Sequence, residues 1–301
     1  DKLESPAQLL ARIQAARQAR YEQELQKWQE RMREWERGSK EERKPAKPSR
    51  LVSSSILESS DELPLHPLPD CWLWLRFDSV YTESVLGKML DAEKNRGKPR
   101  PYLRNINVRW GWFDLNDLQS IKIEESEIDR YQVSPSDLVI CEGGEPGRCA
   151  VWPENHKEPI FLQKALHRVR FPELILPNYV AHLMSFLAGT KLLERHFTGT
   201  TIKHLTGEGL AGVPVPICSL PEQQEIVRLL DEQFEAIERN EREIDAALKR
   251  SEALRQAILK KAFTGQLVPQ DPADEAASEL LARIQAERGA TAQPGRSRRK
   301  V

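Results

Sequence analysis

Apolar residues return most regularly, every three or four positions, in the stretch from Ser219 to Phe263. Neither Gly nor Pro interrupts the pattern between Glu222 and Thr264. Ser219 and Glu222 have the spacing of a capping box, and Gly265 is a common helix stop. The pattern therefore predicts one helix of about 43 residues, roughly 65 Å long at a rise of 1.5 Å per residue.

The apolar stripe of this helix is narrow and resembles the a/d seam of a coiled coil. Glu241 and Ser251 interrupt the seam. A helix of this length needs a partner helix to cover its apolar side chains. The residues predicted to bind that partner are Ile226, Leu230, Phe234, Ile237, Ile244, Leu248 and Ile258. Two roles stay open: a strut that only dimerises the chain, and a spacer between two binding modules.

A second helix is predicted over residues 5–37, where apolar residues are again spaced by three and four. Residues 38–66 contain many Lys, Pro and Ser residues and are predicted to form a flexible linker. A short helix near Glu275–Arg288 and a basic, disordered tail are predicted within residues 266–301.

Residues 67–218, before the spacer helix at 219–265, are predicted to form a globular mixed α/β domain. Residues 137–141 predict a buried strand, residues 142–147 a turn, and residues 148–152 the returning strand. The fold class predicted for the whole chain is α+β. It combines an N-terminal helical segment, the mixed α/β domain and a long coiled-coil helix.

One sequence occurs near both ends of the chain. Residues 9–15 and 280–286 are both Leu-Leu-Ala-Arg-Ile-Gln-Ala. Two further matches lie in the same register: Glu4 with Glu275, and Arg17 with Arg288. Seven consecutive identities predict a duplicated unit of globular domain, long helix and short helix. Residues 1–37 are then predicted to be the end of a preceding repeat unit.

Composition limits the class of protein without naming its partner. The 301 residues are 30% charged and 39% apolar, with a formal net charge of −1, which suits two domains without a basic overall balance. The four cysteines form no C-x-x-C pair, so no metal site is predicted. No apolar run approaches the ~18 residues of a membrane span, and no signal peptide opens the sequence. A cytoplasmic protein with reduced cysteines and no membrane partner is predicted.

A basic stretch from Lys88 to Arg109 is the strongest candidate for a binding site. Lys and Arg neutralise phosphates, Arg pairs with guanine, and Asn or Gln pairs with adenine. From residue types alone, a solvated loop with ordinary surface charges explains the stretch equally well. The residues predicted to contact double-stranded DNA are Lys88, Lys98, Arg100, Tyr102, Arg104, Asn105, Asn107, Arg109, Arg148, Gln163, Lys164, Arg168 and Lys203.

Motifs of catalysis are absent from the sequence. It contains neither the Asn-Pro-Pro-Tyr nor the Asp-Pro-Pro-Tyr motif of amino-methyltransferases, and no G-x-S-x-G, H-E-x-x-H or phosphate-binding Gly loop. Acidic residues within 114–129 are predicted to form a solvated face. We therefore predict no catalytic residue.

Four segments resemble the specificity subunit of type I restriction–modification systems. Residues 220–226, Leu-Pro-Glu-Gln-Gln-Glu-Ile, and residues 254–267 are similar to the start and the end of that family's long helix. Residues 101–108 and 137–147 are similar to segments of its target-recognition domain. The resemblance covers most of residues 70–288, and the helix segments are its specific part.

The resemblance implies a non-catalytic subunit that reads one half of a split DNA site. In the family, two recognition domains are held apart by two paired helices. Methyltransferase (modification) subunits dock on this assembly, and translocating restriction subunits join later. S-adenosylmethionine and ATP belong to those partners, so no cofactor is expected here. This sequence carries one recognition domain, and self-association through the seam of the long helix is therefore predicted.

Two other functions stay open at this point. A structural coiled-coil adaptor would bind protein in place of DNA, without steep salt dependence. The specificity half of another restriction–modification class would be distinguished by the neighbouring genes.

Overall fold

Helices lie at both ends of the sequence, with short strands between them, in the computed structural model of the chain. The structure describes residues 4–38, 44–45, 47–48, 56–59, 66–91, 93 and 95–291. It separates into two units, Asp1–Glu232 and Gln233–Val301. Most of the predicted linker at 38–66, and the predicted tail from residue 292 onward, lie outside the described residues.

The described residues form both helices and strands. The helices are α1 (Pro6–Arg37), α2 (Ile128–Tyr131), α3 (Pro177–Gly189), α4 (Gly207–Ala211), α5 (Leu220–Phe263) and α6 (Ala277–Thr291). The strands are β1 (Leu73–Arg76), β2 (Glu83–Leu86), β3 (Lys98–Leu103), β4 (Gln119–Ile123), β5 (Leu138–Cys141), β6 (Cys149–Val151), β7 (Phe161–Leu162), β8 (Leu166–Arg170) and β9 (Pro214–Ile217). The predicted α+β class is confirmed. None of the described helices is long and apolar enough to cross a membrane.

The strands of the described residues form three small sheets. Strands β2, β8, β5 and β6 form an antiparallel sheet in that order. Strand β3 pairs antiparallel with β4 and parallel with β7, and β1 pairs antiparallel with β9. All four residues of β5 are buried, as their apolar run predicts. The strand, turn and returning strand predicted for 137–152 are confirmed by β5 and β6.

Helix α1 packs on the domain through one face. Leu9 and Ile13 are buried in the same apolar cluster as Leu75 and Phe77. Arg17, one more helical turn along that face, is buried and donates to two backbone carbonyls of the domain. The predicted helix at 5–37 is confirmed, and it contributes to the core of the first unit. Its origin as the end of a preceding repeat stays a prediction.

The start of α5 is fixed by polar contacts. The Ser219 hydroxyl accepts from the N–H of Glu222 (3.4 Å), and the Glu222 carboxylate accepts from Ser219, so the predicted capping box is confirmed. Gln223 is fully buried. Its amide nitrogen donates to the carbonyls of Leu174 (3.1 Å) and Cys218 (2.9 Å), and its amide oxygen accepts from the N–H of Leu176 (2.9 Å). One side chain therefore ties the first turn of α5 to the segment that precedes α3.

Most of the predicted partner-binding residues are exposed on α5. Helix α5 contains 44 residues, and Gly265 follows its end with a φ of 71°, which suits Gly. Ile226 differs from the prediction, because it packs partly against the core of the first unit. Leu230 is half-buried. The other predicted positions are between 46% and 63% exposed: Phe234, Ile237, Ile244, Leu248 and Ile258.

Replacing Gln223 by Leu tests how α5 is attached. The variant leaves the N–H of Leu176 and the carbonyls of Leu174 and Cys218 without that partner, so we expect the free energy of unfolding to fall by about 3 kcal/mol. Gln224→Leu is the matched control, because Gln224 is exposed; it should change the free energy by less than about 0.5 kcal/mol. Urea unfolding followed by circular dichroism measures both. Equal stability of the two variants would contradict the role of Gln223.

Candidate nucleic-acid interface

Four loops lie side by side at one edge of the strand region. They are residues 104–114 after β3, residues 142–148 between β5 and β6, residues 163–165 between β7 and β8, and residues 198–205 before α4. We call them together the loop edge. Most of the residues predicted to contact DNA either belong to these loops or lie within a few positions of them.

Backbone contacts hold the loop edge together. The N–H of Leu205 donates to the carbonyl of Glu142 (2.7 Å), and the N–H of Glu142 donates to the carbonyl of Ala165 (2.8 Å). The Asn105 amide donates to the carbonyl of Gly143 (3.4 Å). Each loop is thus hydrogen-bonded to a neighbour, and a ligand that bridged two loops would meet a pre-formed surface.

The turn at 142–148 requires glycine at two positions. Gly144 and Gly147 have φ values of 80° and 91°. A Cβ atom on Gly144 would lie 2.7 Å from the Asn105 amide nitrogen. The prediction of a turn is confirmed, and the close approach of Asn105 explains why the residue at 144 has no side chain.

Arg148 braces this turn. Its guanidinium donates to the carbonyl of Asn105 (2.8 Å) and pairs with Glu145 (2.6 Å), and its side chain is 13% exposed. Trp110 donates to the other oxygen of the same Glu145 carboxylate (2.7 Å). Both of these contacts are made inside the protein and the side chain is largely buried, so the geometry of Arg148 favours positioning of Asn105 over contact with a ligand.

Several predicted residues lie open on the loop edge. Lys164 and Lys203 are exposed, and Asn105, Arg109 and Gln163 are half-buried. The two ammonium groups suit phosphate oxygens, and the amides of Asn105 and Gln163 suit the polar edges of bases. The arrangement therefore combines a sequence-independent contact with groups that can distinguish bases.

Four exposed residues on the same edge are absent from the predicted set. Trp112 is 57% exposed, Ile106 and Ile202 are also exposed apolar residues, and His204 is exposed. Trp112 follows Gly111, which has a φ of 78° at the end of a short loop closed by the Val108–Phe113 pair. The Trp-Gly-Trp sequence could have indicated an aromatic residue at a turn, where an exposed ring can stack on a base.

The basic residues in β3 and directly after it are paired with acidic residues of the following segment. Lys98 and Arg100 both lie near Glu125 (3.4 and 3.2 Å). Arg104 pairs with Asp117 (2.5 Å). Glu125 and Asp117 are solvent-exposed, as predicted for the acidic residues within 114–129. They also pair with basic residues, because β4 runs antiparallel to β3 and brings that segment beside the basic one. A phosphate would have to compete with these carboxylates.

Three predicted contact residues are buried, and for them the prediction is wrong. Lys88 forms an ion pair with Glu127 inside the protein. Asn107 donates through its amide to two backbone carbonyls of the loop at 114–117, and its oxygen accepts from the N–H of Arg104. Tyr102 is buried in a small apolar cluster, and its hydroxyl donates to Gln119 (3.0 Å). These three side chains therefore support the loop edge from inside the protein.

Arg168 is also buried, so its predicted contact with DNA is wrong. Its side chain is 0% exposed, pairs with Glu83 (2.7 Å) and donates to the carbonyls of Gln132 (2.5 Å) and Asp129 (3.2 Å). The neighbouring Arg170 joins Glu83 to the buried carboxylate of Asp137. The pKa of Arg168 is lowered by burial, while Glu83 opposes that shift. Removal of the Arg168 guanidinium would leave its buried partners unpaired, so the role of Arg168 in this network is structural.

The titratable groups near the loop edge favour binding over covalent chemistry. Burial raises the pKa of the Cys141 thiol to about 11, so it is protonated at neutral pH and a poor nucleophile. His167 is buried, its Nε2 lies 2.9 Å from the carbonyl of Leu205, and burial lowers its pKa, so the neutral ring is favoured. Among the described residues, no group of three or more His, Cys, Asp or Glu side chains is placed to hold a metal ion.

Comparison with known proteins gives sequence relatives of one kind. The chain is 30% identical over 240 residues to the specificity subunit of the type I restriction enzyme EcoKI from Escherichia coli K12, which covers 75% of this chain and 51% of the relative. It is 30% identical over 209 residues to the EcoBI specificity subunit from Escherichia coli, with 66% and 44% of the two chains covered. The chain thus spans about half the length of the curated relatives it matches.

A solved structure supports the fold. A chain from a study of complex assembly and conformational transition in a type I R-M system superposes with a TM-score of 0.52 at 22% identity, over 68% of this chain and 48% of the other. A family model, the type I restriction modification DNA specificity domain, matches residues 90–250. That match covers more than half of the 301 residues, and the chain therefore belongs to the family of the type I restriction modification DNA specificity domain.

Proposed function

We propose that this chain is a non-catalytic, sequence-specific DNA-recognition subunit of a type I restriction–modification system. Its mixed α/β domain reads one half of a bipartite site through the loop edge. The observation that carries the proposal is the family match at residues 90–250, which contains all four loops of the loop edge.

The side chains of the loop edge support this role. Among the described residues, no carboxylate of the protein forms an ion pair with Lys164 or Lys203, in contrast to Arg100 and Arg104. Asn105 is held by contact with the turn at Gly143, so it presents a fixed amide to a base. Fixed polar groups lose less conformational entropy on binding than mobile ones.

Helix α5 has a separate role in the proposal. It carries exposed apolar residues at Ile237, Ile244, Leu248 and Ile258, which would be covered by a partner helix and by docked methyltransferase subunits. Restriction subunits would join that assembly. S-adenosylmethionine and ATP would be bound by those partners, so this chain would need no cofactor of its own.

The first test is methylome sequencing of cells that carry the complete operon, with and without this chain. We expect one bipartite methylated motif that disappears when the chain is deleted and returns when it is supplied in trans.

Replacing Asn105 by Ala should relax the motif at one position, because the amide would no longer discriminate that base. A motif that persists unchanged without the chain would contradict the proposed function.

The salt dependence of DNA binding tests the loop edge directly. In the chain assembled with its methyltransferase subunits, we expect Lys164→Ala with Lys203→Ala to weaken binding and to reduce the slope of log K against log salt by about 2, one for each lost phosphate contact. Lys122→Ala is the matched control, since Lys122 is exposed on β4, outside the loop edge. Fluorescence anisotropy with the methylated motif as the duplex measures the slope. An equal effect of Lys122→Ala would count against the assignment.

Sedimentation equilibrium tests self-association through α5. We expect the chain to form a dimer that Ile244→Glu with Leu248→Glu weakens by about tenfold or more, because two carboxylates would be placed in an apolar seam. Ala246→Glu is the control, as a neighbouring exposed position between the two seam residues. Since all three positions are exposed, the monomer should keep its stability. A wild-type chain that stays monomeric at every concentration would overturn this part of the proposal.

A further inference from the structure

The repeated sequence at the two ends of the chain has two different environments. In α1 it is packed against the domain, with Leu9 2% exposed and Ile13 0% exposed. In α6 the equivalent residues Leu280 and Ile284 are 40% and 37% exposed. Identical side chains are therefore buried in one copy and accessible in the other.

The contacts of α1 define what the repeated sequence binds. Leu9, Ile13 and Arg17 follow each other at intervals of four residues and lie on one face of the helix. The Arg17 guanidinium donates to the carbonyls of Asp78 (2.6 Å) and Tyr81 (2.9 Å). We call this surface, formed by the apolar cluster around Phe77 with these two carbonyls, the α1 dock.

The α1 dock requires more of a bound helix than apolar side chains. A helix that enters it must bring two aliphatic side chains and then a guanidinium that satisfies carbonyls beside the buried Asp78. Arg17 is 3% exposed, so a residue without its donors would leave these carbonyls without that partner. The requirement is a sequence of the form Leu-x-x-x-Ile-x-x-x-Arg.

Helix α6 meets the same requirement. Leu280, Ile284 and Arg288 have the identical spacing. The helix starts also agree, because Glu275 pairs with Arg283 (3.1 Å) as Glu4 pairs with Arg12 (2.8 Å) in α1. The two helices thus share their contact residues and a flanking ion pair on the exposed side.

We propose that α6 is a second docking helix, and that it binds the α1 dock of a second copy of this chain. In that complex Leu280, Ile284 and Arg288 take the places of Leu9, Ile13 and Arg17. Helices α1 and α6 are alternative occupants of one surface. Because α1 belongs to the same chain as the dock, α6 can bind only when α1 has dissociated. The apparent affinity of α6 is therefore its intrinsic affinity multiplied by the fraction of docks that α1 has left open.

The α1 dock is distinct from the α5 seam, and the exchange of helices on it does not depend on DNA recognition. A chain that binds no DNA could still exchange α6 for α1. A variant that has lost association through Ile244 and Leu248 should still show the α6 contact, so the two kinds of association are separable.

Site-specific photo-cross-linking in the full chain tests the proposal. p-Benzoylphenylalanine replaces Leu281, the counterpart of Leu10, which packs against the core of the α1 dock. Equal amounts of ¹⁴N and ¹⁵N chains are mixed and irradiated, and mass spectrometry distinguishes cross-links between copies from those within one copy. We expect intermolecular cross-links to the peptide that contains residues 76–81.

Three further variants decide the outcome. Ile284→Glu should reduce the intermolecular yield by about tenfold or more, because the dock would have to bury an unpaired carboxylate. Gln285→Glu should leave it unchanged, because the equivalent Gln14 is exposed in α1. Ile13→Ala should raise the yield, because it weakens the competing α1. Cross-links that are absent from both the wild-type chain and Ile13→Ala, that form only within one copy, or that persist in Ile284→Glu would overturn the proposal.

Discussion

The buried amide of Gln223 is the interaction on which the architecture depends. Three backbone groups from two segments of the domain meet its side chain, and no other residue type supplies both two donors and an acceptor at that length. Because these bonds are shielded from water, they fix the rotation of the first turn of α5 as well as its position. Within the first unit, which ends at Glu232, the orientation of the side chains that follow on α5 depends on that rotation, since residues on a helix are related by a constant angle.

Some charged residues of the domain are paired with other residues of the protein, and others remain available to bind a ligand. The partly buried network of Arg168, Arg170, Glu83 and Asp137 holds β2, β8 and the start of β5 together. Arg100 and Arg104 are matched by carboxylates of the next segment. The formal net charge of −1 comes from 45 basic and 46 acidic residues, so it does not show which charges are paired. On the loop edge, the exposed lysines are Lys164 and Lys203.

Local sequence was sufficient to predict the three longest of the described helices, α1, α5 and α6, and the hairpin of β5 and β6. The apolar spacing, the Ser219–Glu222 cap and the Gly265 stop predicted α5 to within a residue or two of its observed bounds. The Gly-rich turn between β5 and β6 was equally clear, because its glycines have backbone angles that other residues avoid.

The candidate site was harder to predict because its properties come from pairing between strands. Nothing in a run of basic residues shows that an antiparallel neighbour will place Glu125 or Asp117 beside it, or that Arg168 faces inward while Lys164, four positions earlier, faces outward. Burial of Ile226 against the domain likewise depends on where α5 is attached, and its heptad position contains no such information.

The pairing of β1 with β9 has a consequence for how this kind of chain can change over time. Leu73 lies opposite Ile217, so the polypeptide enters and leaves the mixed α/β domain at neighbouring points. A module with adjoining ends can be exchanged as a block by recombination at two short flanking sequences, while the joint at Gln223 is retained. A chain that acquired a different domain in this way could keep the helices α1 and α5 on either side of it unchanged.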